Sequence, residues 1–258
     1  MDTDTLLQRY TDRFVTYGNR AGRLWFLDHE DDWPSPMDAI VQTLESWEAT
    51  GCRSTYRLGS LDGFDEVRDQ AIFDTRRATG PVLHQPFAMK SRIALGLDGP
   101  MIESEARERD AVRAYQATRL GTLRGDTCLL QPFPIPYHPR RLWRYDDESK
   151  LSWMTSARAL EAELLVPRLE RVRKLVLRHR PAALVTFCWY HRDVVERVLD
   201  PDVPFAASGE EGKGRESRQV LFGLLGDTLL VSTNDLRLYR SPSREFCWNL
   251  GRDIAKRT

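Results

Sequence analysis

Three short runs constrain the fold of this chain more than any other feature. Leu24-Trp25-Phe26-Leu27, Thr127-Cys128-Leu129-Leu130 and Ala182-Ala183-Leu184-Val185-Thr186-Phe187 are apolar at nearly every position. Each is bounded by turn residues and is the length of a buried strand, not of a helix. Between them the apolar residues recur at helical spacing. The spacing predicts an opening helix over 4–17, with Leu6, Leu7, Tyr10, Phe14 and Val15 on one face. A second helix starts at Ser35-Pro36, buries Ile40, Val41, Leu44 and Trp47, and stops at Gly51. After turns at 59–63, further helices are predicted near 64–77 and over 86–97. The charged stretch ESEARERDAVRAYQATRLG is a helix closed by Gly121. Residues 152–179 read as one helix or two, with Pro167 as a kink or a second start, and another helix runs to Leu199. Val220–Leu225 and Thr228–Ser232 flank Gly226-Asp227, a hairpin signal. GEEGKGRESR, 209–218, reads as a mobile loop, and Ser241-Pro242-Ser243 opens a final helix with Ser241 as its cap. Short apolar strands alternating with amphipathic helices imply an α/β fold. The expected form is a three-layer α/β/α sandwich around a central, mostly parallel sheet. The 258 residues fit one domain, 1–258.

Composition narrows the setting. Lys+Arg and Asp+Glu are balanced at 38 each, yet the charge is segregated, with acids concentrated in 28–75 and arginines in 137–180. A neutral total is therefore compatible with a nucleic-acid partner. Cys52, Cys128, Cys188 and Cys247 are far apart with no CxxC pair, which predicts free thiols in a reducing compartment. The N-terminus lacks a basic and apolar leader pattern, and no apolar run approaches the length of a membrane span. The expectation is a cytoplasmic monomer with no membrane contact.

In a parallel α/β sheet the ligand crevice lies at the carboxyl ends of the strands, and three strand ends here carry unusual chemistry. The first is Asp28-His29-Glu30-Asp31-Asp32-Trp33, four carboxylates beside an imidazole and an indole. A carboxylate at the mouth of an apolar cleft can stabilise a developing cation or orient a water. The alternative is a solvated run lying beside a helix dipole. The second is Gln131-Pro132-Phe133-Pro134, in a loop whose four prolines bar it from a ladder. Gln131 can read the donor and acceptor edge of a base, or simply end a strand. The same loop continues as YHPRRLWRY, where His138, Arg140 and Arg141 suit phosphate contact with aromatic stacking, or a surface loop with cation–π packing. The third is STNDLRLYRSPS, with Arg237, Tyr239 and Arg240 before a helix, a wedge that could fill a duplex where a base has left. No dinucleotide, P-loop, nucleophile-elbow or HExxH motif is present, and the five histidines do not pair at metal-ligand spacing. DHEDD is the one cluster that could hold a metal. No metal or other cofactor is expected.

Together the three segments resemble the uracil-DNA glycosylase superfamily over roughly residues 20–257. WFLDHEDDW is similar to its first motif, and the resemblance puts Glu30 where the water-activating or cation-stabilising residue sits, with Asp28 and Asp31 as neighbours. TCLLQPFPIP is similar to the second motif, with Gln131 where an Asn is usual. VSTNDLRLYRSPS is similar to the third, with Asn234 where a His is usual. The resemblance implies a hydrolase that flips a base out of DNA and cleaves its N-glycosidic bond, leaving an abasic site. Glu30, Asp31, Asp28 and Asn234 would be catalytic; Gln131, Trp33, Phe133 and His29 would bind the base; His138, Arg140, Arg141, Arg237, Tyr239 and Arg240 would hold the DNA. The altered pocket points to a base other than uracil, such as a bulky modified cytosine like the glucosylated hydroxymethylcytosine of phage DNA, with defence or repair as the setting. The competing expectations are a catalytically silent DNA-binding module, a uracil-excising repair enzyme, and an enzyme acting on a nucleotide or small glycoside.

Overall fold

The structure, a computed structural model, describes residues 2–28, 37–58, 85–135, 143, 145, 149–188, 191–211, 218–233 and 243–258. Helix α1 (Thr3–Arg13) starts where Asp2 accepts a hydrogen bond from the Thr5 amide. It ends at Arg13, earlier than the spacing predicts, because Phe14 turns extended and Thr16–Gly18 form strand β1. The apolar run through Val15 and Tyr17 serves a strand there, not a helix. Gly18 closes it at φ 97°, where a Cβ would lie 2.5 Å from the Thr127 carbonyl. Strand β2 (Leu24–Leu27) is buried at every position. Helix α2 (Met37–Ala49) buries Ile40, Leu44 and Trp47 as expected, and the short strand β3 (Thr55–Tyr56) follows.

Helix α3 (Gln85–Asp98) and helix α4 (Glu105–Thr118) precede strand β4 (Thr127–Leu130). The region 152–179 is one interrupted helical stretch. A 3₁₀ turn (Ser152–Met154) leads to α5 (Ala157–Leu160), a π-helical turn (Glu161–Leu165) and α6 (Val166–His179). Pro167 sits in the first turn of α6 directly after the π turn, where the helical stretch changes its hydrogen-bond pattern. Strand β5 (Ala183–Thr186), helix α7 (Arg192–Leu199), strands β6 (Val203–Glu211), β7 (Arg218–Leu225) and β8 (Thr228–Thr233), and helix α8 (Arg244–Ala255) complete the order. The expected loop 209–218 is therefore corrected at both ends, since Glu211 and Arg218 are paired strand residues. The cap of α8 is Ser243, whose hydroxyl accepts from the Phe246 amide, not Ser241.

The described strands form an eight-stranded mixed sheet in the order β3-β1-β4-β2-β5-β8-β7-β6. Its centre, β4-β2-β5-β8, is parallel, with Leu27 opposite both Leu130 and Thr186 and Thr186 opposite Ser232. The flanks are antiparallel to it at β1–β4 and β7–β8. The fold is thus α/β with a large, mostly parallel mixed sheet and helices, compatible with three layers. The chain runs from β2 to β4 on one side, then returns across β2 to β5 on the other. This reversal makes the β2/β5 boundary the topological switch point, where open α/β sheets bind ligands.

Helix α3 is held rigidly. At its crossing with α8, a Cβ on Gly96 would lie 2.5 Å from the Trp248 carbonyl, and one on Gly251 2.2 Å from the Ile93 carbonyl. Buried Glu108 of α4 accepts from Arg92 at 2.6 Å and from the Trp248 indole at 3.3 Å, joining three helices. Cys128, Cys188 and Cys247 are buried free thiols and Cys52 is half-buried. Burial pushes the Cys128 thiol up to about 12, so it is unreactive at neutral pH. Among the described residues, no helix is long and apolar enough to cross a membrane.

Candidate active site

The end of β2 carries the first site residue. Asp28 donates its amide to the Leu130 carbonyl at 3.3 Å, which carries the β2–β4 pairing one residue beyond the strand. Its side chain is buried, with Oδ2 3.0 Å from Nζ of Lys90 on α3, whose side chain is 0% exposed. The approach is a charge contact without hydrogen-bond alignment, for neither Asp28 oxygen completes a hydrogen bond. The Lys90 ammonium also sits 5.2 Å from the Phe87 ring centroid. Asp28 thus stands at the carboxyl end of β2 as half of a buried ion pair.

The end of β4 carries Gln131, half-buried, and Phe133, buried. The Gln131 carbonyl accepts from Arg168 Nη2 at 3.0 Å. The same guanidinium donates through Nη1 to the carbonyls of Thr11 at 2.7 Å and Phe14 at 3.3 Å. One buried arginine therefore fixes the end of α1 and the start of the β4 loop together. Burial pushes its pKa down to about 10, still well above neutrality, so it stays charged.

The end of β5 adds His191, which caps α7 and donates its amide to the Cys188 carbonyl at 3.0 Å. Its ring meets Phe133 edge-on at 5.8 Å. Its Nε2 lies 3.6 Å from Oε1 of Glu161, beyond hydrogen-bond distance but close enough for charge coupling. Glu161 opens the π turn, a rare geometry that recurs at functional sites. Burial pushes the His191 imidazole down and the Glu161 carboxyl up, so each favours its neutral form more than it would in water. The end of β8 contributes buried Thr233.

Asp28, Gln131 and Phe133 are thus brought to adjacent strand ends at one edge of the sheet. His29, Glu30, Asp31, Trp33, His138, Arg140, Arg141, Asn234, Arg237, Tyr239 and Arg240 lie outside the described residues. The described part of the site includes four residues that sequence reasoning missed: Lys90, Glu161, Arg168 and His191. Lys90 had a signal, since it interrupts the buried face Phe87-Ala88-Met89-Lys90 of a predicted helix. Arg168 and Glu161 had none, because each looks like the charged face of an ordinary helix. Among the described residues, no group of three or more His, Cys, Asp or Glu could hold a metal ion. Of the DHEDD cluster only Asp28 is described. In comparisons with known proteins, no family model, no curated protein and no solved structure matches this chain.

Proposed function

We propose that this chain is a DNA glycosylase on a three-layer, uracil-DNA glycosylase-like scaffold, excising a modified or non-canonical base. One observation carries the reading. The strands that precede the three resembling segments, β2, β4 and β8, belong to one parallel group, so their carboxyl ends share one edge. Segments more than 100 residues apart in sequence therefore leave the sheet on the same side, and the switch point lies between them. Asp28 directly precedes His29 and Glu30 in the chain, and Thr233 directly precedes Asn234.

In the proposed reaction the target nucleotide leaves the stack, at a cost of a few kcal/mol offset by pocket and backbone contacts. The bond between C1′ and the base nitrogen breaks, and its electron pair stays with the base. Glu30, with Asp31, supports the cationic sugar and takes a proton from the water whose oxygen bonds to C1′. Gln131 reads the base edge, Trp33 or Phe133 stacks on it, and Asn234 donates a hydrogen bond to the departing ring. Arg237, Tyr239 and Arg240 fill the vacated position, while His138, Arg140 and Arg141 meet phosphates. The Lys90 contact offsets the charge of Asp28, which lessens the repulsion between the acidic stretch and DNA.

The test is a base-release assay on single-stranded and duplex DNA. The substrates contain uracil, mismatched thymine, hydroxymethylcytosine or glucosylated hydroxymethylcytosine. The expected result is an abasic product from one of them, lost in Glu30→Gln and reduced in Asn234→Ala. Binding that weakens steeply with salt but yields no abasic product from any substrate would replace the enzyme with a silent DNA-binding module.

A further inference from the structure

The amino ends of β2 and β5, opposite the edge that carries Asp28, hold a group of cations with no acid to balance them. Gly18, Cys128 and Trp25 stand in one row across β1, β4 and β2. Arg20 follows Gly18 by two residues, and its Nη2 donates to the Ser54 hydroxyl at 2.9 Å and to the Ser54 carbonyl at 3.1 Å. Its Nε is buried and has no hydrogen-bond partner. His179, in the last turn of α6, sets its ring 5.9 Å from that of Trp25, and Arg178 precedes it. The three groups are close enough to act on one another. Burial, and then Arg178, holds the Arg20 guanidinium below its ordinary value, and burial, then Arg20 and Arg178, does the same to His179. The one charge that would favour Arg20 is a Cys128 thiolate, and burial pushes that thiol up to about 12, so it is neutral at pH 7. Among the described residues neither Arg20 nor Arg178 forms an ion pair, and Asp227 lies 3.5 Å from Arg180 instead. A helix carboxyl end suits cations, which accounts for Arg178 and His179. It does not account for Arg20, which comes from another element and is held beside them against repulsion.

We propose that Arg20, Arg178 and His179 form a phosphate-binding site at the amino ends of β2 and β5, separate from the candidate active site and independent of the glycosylase reading. Arg20 supplies a guanidinium already oriented by Ser54. Arg178 brings a second planar fork from the helix, and His179 becomes a charged donor when the anion arrives. Charges of one sign gathered on one surface concentrate the opposite ion there. Guanidiniums converging from two elements suit the several acceptor oxygens of a phosphate. Lys174 lies one turn before Arg178 on α6 and extends the charge, with Glu170 one turn further away. The same chemistry takes a free phosphate or a backbone phosphodiester of a nucleic acid.

The experiment follows the His179 ring by NMR across pH, its signal assigned by its loss in His179→Gln. The protein is titrated with inorganic phosphate, with a short thymidine oligonucleotide lacking terminal phosphates, and with sodium chloride at matched ionic strength. An anion beside the imidazole favours its charged form, so the midpoint of His179 titration is expected to rise by on the order of 1 in pH. The rise is expected to be lost in Arg20→Gln and in Arg178→Gln, and kept in Arg107→Gln, which removes the same charge from the exposed face of α4. Arg178 is exposed, so its variant keeps the test valid even where Arg20→Gln fails to fold. A rise with the oligonucleotide assigns the site to a nucleic-acid backbone, and a rise with inorganic phosphate alone assigns it to a free phosphate. No rise with either, a rise that sodium chloride reproduces, or a rise that survives Arg178→Gln overturns the site.

Discussion

At the residue scale His191 and Glu161 are neighbours whose protonation burial pushes in opposite senses. The unfolded chain protonates His191 near the ordinary 6.5, and burial holds the folded imidazole below that value. Between the two values the unfolded state binds more protons, so the His191 contribution to stability falls as pH falls. Glu161 has the reverse sign. Its folded carboxyl is held above the ordinary 4.5, so the folded state binds more protons and acidification relieves its burial cost. His191→Gln is therefore expected to flatten the decline in Tm between about pH 7 and pH 5, and Glu161→Gln to steepen it. Melting curves across that range check both signs, and equal slopes for wild type and His191→Gln would contradict the burial argument. Arg168 shows the same physics settled differently. Its guanidinium stays charged in the interior because three backbone carbonyls accept from it.

At the element scale the α3–α8 crossing sets where Lys90 points. Two effects of Gly251→Ala oppose each other. In an isolated helix Ala is favoured over Gly by about 1 kcal/mol. Here the new Cβ would meet the Ile93 carbonyl at 2.2 Å and the Gly96 Cα at 2.9 Å, and both are backbone atoms that cannot rotate away. Overpacking costs about 1–3 kcal/mol and outweighs propensity. A net loss of stability is expected, read as a lower denaturant midpoint with an unchanged slope. Gly99→Ala is the control, since nothing lies within 4 Å of its Cβ position. A Gly251→Ala protein as stable as that control would show that the helices can separate without penalty.

At the scale of the whole molecule the sheet grades from a dry parallel centre to a wetter edge. Strands β2, β4, β5 and β8 are buried at every position. Strand β6 is an edge strand with Val203, Ala206 and Ala207 exposed, and its pairing with β7 shifts register twice. Edge strands with irregular pairing open at low free energy, while buried central strands open only with global unfolding. Native-state hydrogen exchange is expected to leave the amides of Phe26, Leu129, Val185 and Val231 slowest, with Ala206 and Ala207 faster by orders of magnitude. Uniform protection across the sheet would contradict this gradient.

The parts of the fold legible in the sequence are those that local pattern dictates. Four-residue runs that are apolar at nearly every position and bounded by turn residues read as buried strands, so β2, β4 and β5 were visible. The Gly226-Asp227 turn fixed the β7–β8 hairpin, and helical spacing found α2, α3, α4 and α7. Strand β1 was hidden because β-branched and aromatic residues continued the apolar period of α1, and only pairing with β4 showed them to be extended. Strand β6 was hidden because VPFAASGEE has no apolar alternation, and its ladder with β7 is what makes it a strand. The sequence also named Asp28, Gln131 and Phe133 as strand-end residues, since a polar group after an apolar run marks a strand's mouth. That Lys90, Glu161, Arg168 and His191 share that mouth is decided by tertiary structure alone. Burial and charge pairing depend on which helix crosses which strand end, and 62 residues separate Asp28 from Lys90 along the chain.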